Sequence, residues 1–177
     1  MSGTLASMGC GLPYAIAAGI AFPGRQIVAV VGDGGISMTL AELSTAARYK
    51  IPMKVVVINN GTLGQIKWEQ MLFLGHPEFG CDLAPIDFAK VAEGMGVRGL
   101  RVDDPEDLAR VLKEAFAYDD GPVLIDAVVD PAEPMLPPKR REQYMKHLQQ
   151  AFDGGMAGQA DIARRMEEEP ALTALKP

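Results

Sequence analysis

The chain has 177 residues, enough to bury one substantial core and leave a tail. Hydrophobic residues at 48% and charged ones at 23% are ordinary for a globular protein, and the net charge of −6 excludes a broad nucleic-acid-binding face. Cys10 and Cys81 offer neither a disulfide framework nor metal-ligand spacing, and His76 and His147 are too far apart in sequence to suggest a histidine metal site.

In chain order, Met1-Ser2-Gly3-Thr4 lacks the basic start and apolar run of a signal peptide. The most apolar stretch, 10–31, is broken by Pro13, Gly19, Pro23, Gly24 and Arg25, so it does not read as a membrane span. A soluble, cytoplasmic protein is expected. Residues 12–22, rich in alanine, read as a buried helix with Pro13 in its first turn, stopped by Pro23-Gly24-Arg25. Residues 27–31 are apolar without alternation, which predicts a strand covered on both faces. Leu40, Leu43, Ala46 and Ala47 recur at helical spacing within 39–49. A second strand is expected over 54–58, a helix over 63–72, a loop over 75–85, a helix over 86–95 and a short strand over 98–102. Asp104-Pro105-Glu106 starts a helix through 117, and residues 123–129 form the last strand. This alternation predicts an α/β domain, a three-layer α/β/α stack on a mostly parallel sheet, over 1–138. Over 139–177 a helical tail follows, with Lys139-Arg140-Arg141 leading a stripe of Tyr144, Leu148 and Phe152, a break at Gly154-Gly155, and a short polar segment.

Ligands in such sheets bind beyond the carboxyl ends of strands. Two strands here end in glycine-flanked oxygen donors, Gly32-Asp33-Gly34-Gly35 and Asn59-Asn60-Gly61, with 24 residues between Gly34 and Asn59. Asp and Asn supply hard oxygens suited to Mg²⁺ or Ca²⁺, and the glycines let backbone N–H groups approach a phosphate. Each loop alone has a plainer reading, a helix cap for Asp33 and an ordinary turn for Asn59-Asn60-Gly61. A nucleotide-binding reading lacks both G-x-G-x-x-G after a first strand and a P-loop lysine.

Together the two loops resemble the signature of thiamine diphosphate enzymes. The chain is similar to the C-terminal cofactor-binding domain of the acetolactate synthase and pyruvate oxidase family, from about Gly3 to Pro138. The resemblance implies that Asp33, Asn60 and the main-chain carbonyl of Thr62 bind Mg²⁺ (or Ca²⁺), and that Gly32, Gly34, Gly35, Leu63 and Gly64 line the diphosphate site. In Ala6-Ser7-Met8-Gly9, it makes Met8 the apolar wedge that bends the cofactor, with main-chain groups of Ala6 and Met8 at the pyrimidine edge. Glu69 stands nine residues after Asn60, where pyruvate oxidases and quinone-linked pyruvate dehydrogenases carry a glutamate that handles protons at the substrate. In acetolactate synthases the corresponding Trp falls one residue later than Trp68, so the chain leans toward the oxidases. Trp68 reads as packing, and Glu42, Lys67, Asp87 and Asp126 as surface or structural. Thiamine diphosphate would supply the electron-accepting ring. FAD would enter only through a middle domain absent from this chain, as is the pyrimidine-binding domain whose glutamate serves the cofactor. The resemblance therefore implies a fragment or split subunit, lacking its first strand, inactive alone and completed in a homo-oligomer. The basic, amphipathic tail allows membrane contact as well as packing on the protein, and packing is the simpler reading.

Overall fold

The computed structural model describes residues 5–135 and 142–168. In chain order its elements are α1 Gly11–Ala21, β1 Ile27–Gly32, α2 Asp33–Ser37, α3 Glu42–Arg48, β2 Met53–Asn59, α4 Gly64–Glu69 continued by a π turn Gln70–Leu74, α5 Phe88–Gly94, β3 Arg98–Val102, a 3₁₀ turn Pro105–Asp107 leading into α6 Leu108–Ala117, β4 Val123–Val128, α7 Glu142–Asp153 and α8 Gln159–Glu168. They fall into two compact units. The first joins the residues up to Gly61 to Ala84–Val129, and the second joins Thr62–Leu83 to the residues from Asp130 onward.

The first unit is an α/β layer structure. Its four strands are all parallel, in the order β1-β2-β4-β3, with Val30 opposite Val56 and Val56 opposite Ile125. Side chains of a strand alternate between faces, so the central strands β2 and β4 feed two cores. On one face Val55, Val57 and Leu124 meet Leu12 and Ile16 of α1, Leu43 and Ala46 of α3, and Phe88 and Ala92 of α5. On the other, Val123 and Ile125 meet Val111 and Ala115 of α6. Parallel pairing of β1 and β2, with Gly32 opposite Ile58, sets their carboxyl ends beside one another, so Asp33 and Asn60 emerge at one end of the sheet.

Coverage of both faces, expected for residues 27–31, holds only in part. Val28 is 46% exposed and Val30 66%, because α6 covers the strands at the far side of the sheet and, among the described residues, β1 has no strand on its outer edge. An unbroken apolar run does not reveal that its strand lies at an edge. One other expectation changes. The helix predicted over 39–49 is regular only over Glu42–Arg48, and a short helix, α2, precedes it.

The second unit has its own core of Trp68, Met71, Leu72, Leu148, Ala151, Met156 and Ile162. Trp68 is thus packing, as expected. The stripe on α7 is also packing: Leu148 is buried, and the Tyr144 ring meets Phe73 edge-on at 5.2 Å between centroids. The short polar segment after Gly155 forms helix α8, anchored by Ile162 and by an ion pair from Arg165 to Asp130. Pro137, Pro138, Lys139-Arg140-Arg141 and Glu169-Pro170 lie outside the described residues. Among those described, no helix is long and apolar enough to cross a membrane.

Two aspartates start helices as carboxylate caps: Asp104 accepts from Glu106 N at 2.9 Å, and Asp87 from Lys90 N at 3.0 Å. The Lys90 side chain, then its backbone N–H, hold the Asp87 carboxyl below its ordinary value of 3.8. A lowered folded value means the cap stabilises above the unfolded value and fades as pH falls through the folded one. Asp87→Ala should cost about 1 kcal/mol at neutral pH. Urea unfolding of both proteins between about pH 6 and about pH 2 should show that difference shrinking toward zero.

Candidate functional site

Gly32 is extended, and Asp33 is the first residue of α2, only 4% exposed. Its Oδ1 accepts from Gly34 N at 2.8 Å and its Oδ2 from Gly61 N at 2.7 Å. The second bond ties the loop after β1 to the loop after β2. Among the described residues, no lysine, arginine or histidine forms an ion pair with Asp33. A buried carboxylate with two N–H donors and no cationic side chain fits a bound cation, because burial of unbalanced charge is costly. Among the described residues, no three His, Cys, Asp or Glu side chains converge. A cation here must therefore draw on amide and carbonyl oxygens beside the one carboxylate, the donor set of a hard divalent ion.

Gly61 adopts φ +67° with open space where a Cβ would stand, so backbone conformation, not crowding, calls for glycine. It turns the chain so that its N–H faces Asp33. Asn60, immediately before it, is half-buried and engaged with its surroundings.

The Ala6–Gly9 segment lies against the same loop. Thr39 Oγ1 donates to the Gly9 carbonyl at 3.0 Å, and a Cβ on Gly9 would stand 3.6 Å from the Gly35 carbonyl oxygen. Behind it, a Cβ on Gly11 would stand 2.3 Å from Val31 Cγ1, so glycine is what lets α1 seat on β1. Ala6 has φ +47°, and Met8 is 51% exposed. An exposed methionine beside a glycine loop is available to a ligand rather than spent on the core. A groove of about 440 Å³ follows β1 from Val28 to Gly32, Gly35 and Gly9, with largely apolar walls.

In the second unit Thr62 is buried. Its hydroxyl donates to the Cys81 carbonyl at 3.2 Å, and Leu63 N donates to that same oxygen at 2.8 Å. The Thr62 side chain therefore fastens the segment to the loop after α4. The Thr62 carbonyl accepts from Gly64 N at 2.9 Å. Glu69 closes α4, half-buried, and its Oε1 accepts from Gln65 Nε2 at 2.9 Å. Both border a groove with Trp68, Phe73 and Met135. Lys67, expected at the surface or in a structural role, is structural: its Nζ lies 3.0 Å from Glu78 Oε2, with side chains 9% and 17% exposed. Burial first, then Glu78, push the Cys81 thiol up, so it is an inert packing thiol.

Known proteins of similar sequence identify the family. Residues 1–127 match the family model described as thiamine pyrophosphate enzyme, C-terminal TPP binding domain. The chain belongs to that family. Similar proteins include a Bacillus subtilis protein described as thiamine pyrophosphate-containing, YdaP, 45% identical over 139 residues, 78% of this chain and 24% of the relative. An acetolactate synthase of Mycobacterium bovis is 44% identical over 133 residues, 72% of this chain and 22% of the relative. Among solved structures, the thiamine diphosphate-dependent 4-hydroxybenzoylformate decarboxylase of Rhodococcus jostii RHA1 matches with TM-score 0.65 and 38% identity, covering 70% of this chain and 23% of that one. The TPP-binding domain thus spans about a quarter of the length of the curated relatives it matches.

Breaking a buried ion pair from one side strands the other charge. Lys67→Met should destabilise the domain by about 3 kcal/mol, and Lys67→Met with Glu78→Gln should recover most of it, read from denaturant midpoints.

Proposed function

We propose that this domain binds thiamine diphosphate through Mg²⁺ in an enzyme that decarboxylates a 2-oxo acid, as pyruvate oxidases do. The observation that carries the reading is Asp33, a buried carboxylate with no cationic partner among the described residues and linked to the second loop through Gly61. In this reading Asp33, Asn60 and the Thr62 carbonyl hold the ion, and Gly32, Gly34, Gly35, Leu63 and Gly64 present main chain to the diphosphate. Met8, with Ala6, supports the ring end. The ion neutralises diphosphate charge and fixes the cofactor's orientation, and the cofactor when bound supplies an electron-accepting ring. Glu69, held by Gln65 on a groove wall, is positioned to handle a proton or hydrogen bond at the substrate.

Further domains, from the same polypeptide or a second subunit, complete the site, and the isolated chain has no turnover. FAD would come with such a domain, and assembly would be homo-oligomeric. Carboligation is the second reading, favoured by the acetolactate synthases among the relatives.

Titration calorimetry of the chain with thiamine diphosphate and Mg²⁺ should show binding that disappears without the metal. Asp33→Ala should weaken it by about 100-fold or more, beyond the roughly 10–100-fold typical of outer-shell partners. Supplied with its completing domains and pyruvate, the protein should yield acetate and a reduced acceptor, and Glu69→Gln should slow this by about 100-fold. Acetolactate as the product would reverse the choice between the two readings.

A further inference from the structure

Asp126 lies on β4 with no exposure at all. It is the one fully buried acidic side chain among the described residues, and the cofactor reading leaves it unused. Its Oδ2 accepts from Arg101 Nη1 at 2.7 Å and from Phe88 N at 3.1 Å, and its Oδ1 accepts from Asn59 Nδ2 at 2.9 Å. Asn59 Nδ2 also donates to the Ile86 carbonyl at 3.1 Å, so both amide protons are committed. Its own carbonyl accepts from Val129 N at 2.9 Å. Asn59 is therefore fixed by side chain and main chain at the last position of β2. The next two residues are Asn60 and Gly61, and Gly61 N reaches Asp33.

Asp126 buries its charge completely while Arg101 stays 37% exposed, so the cost of desolvating the carboxylate offsets much of their attraction, and an apolar residue of similar size often serves a core as well or better. The arrangement is better explained by what it holds. We infer that Asp126 is a positioning residue: through Asn59 it sets the course of the chain at Asn60 and Gly61, and so keeps the second loop in register with Asp33. The inference rests on the cofactor reading for its consequence in metal binding, but the relay itself is a property of the folded chain.

Two measurements on the full chain separate relay from scaffold. The first is amide hydrogen exchange by NMR without metal. In Asn59→Ala, and in Asp126→Asn, the Gly61 amide should exchange about 10-fold faster or more, while Val55 and Val57 keep their protection. Equal acceleration across β2, or no change at Gly61, would overturn the relay. The second is Mn²⁺ binding with thiamine diphosphate present, followed by electron paramagnetic resonance. Each single variant should weaken Mn²⁺ by about 10-fold or more, and the double variant should be little worse than either. Additive losses, or unchanged Mn²⁺ affinity in variants that merely melt earlier, would overturn it. Mn²⁺ binding that survives Asp33→Ala would defeat the cofactor reading instead, and the Gly61 exchange result would still decide the relay.

Discussion

Two backbone N–H groups on one carboxylate organise the end of the sheet where the site lies. Asp33 is buried, and a buried carboxylate left alone would cost several kcal/mol. Gly34 and Gly61 offset part of that cost, and the Gly61 bond spans 28 positions of sequence. That bond forms only if β1 and β2 pair in the observed register, with Gly32 opposite Ile58. A slip of one residue would send every inward side chain of β1 outward as well as breaking it. Fold and site thus share a constraint: the packing of Val55, Val57 and Leu124 sets the register, and the register delivers Gly61 to Asp33.

The framework was legible because strands and helices here follow strong local rules. Val55-Val56-Val57-Ile58 and Val123-Leu124-Ile125 could hardly be other than parallel-sheet strands, and the caps at Asp104 and before Phe88 obey simple hydrogen-bond logic. Asp33 and Asn60 stood out through oxygen chemistry and glycine neighbours. Other features had weak local signals. Helix α2 contains Gly34 and Gly35, poor helix formers, and lasts five residues. Helix α8 buries little beyond Ile162, so it carries almost no apolar stripe. Asp126 looked like any aspartate in a strand, since its partners Arg101, Phe88 and Asn59 lie 25 to 67 positions away.

The second unit shows the same limit from another side. Trp68, Met71 and Leu72 meet Leu148, Ala151 and Ile162 across a long gap in sequence. The periodicity of α7 announced an apolar face without naming what would cover it. Lys67 and Glu78 add a buried ion pair that binds α4 to the loop behind it, with Cys81 and Thr62 closing that loop from the other end. A segment carrying a candidate acid–base residue, Glu69, is thereby built on a stiff support, which is what positioning chemistry requires.

The bare rim of β1 has a practical consequence unrelated to catalysis. From Ile27 to Gly32 it contains no lysine and no proline, the residues that natural sheets use to deter strangers from docking. Among the described residues no strand pairs with the outer edge of β1 beside Val28 and Val30, and such an edge is a template for an added strand. Left uncapped, that edge favours association between copies as concentration climbs, against the mutual repulsion of a net charge of −6. A lysine at Val30 would oppose such pairing.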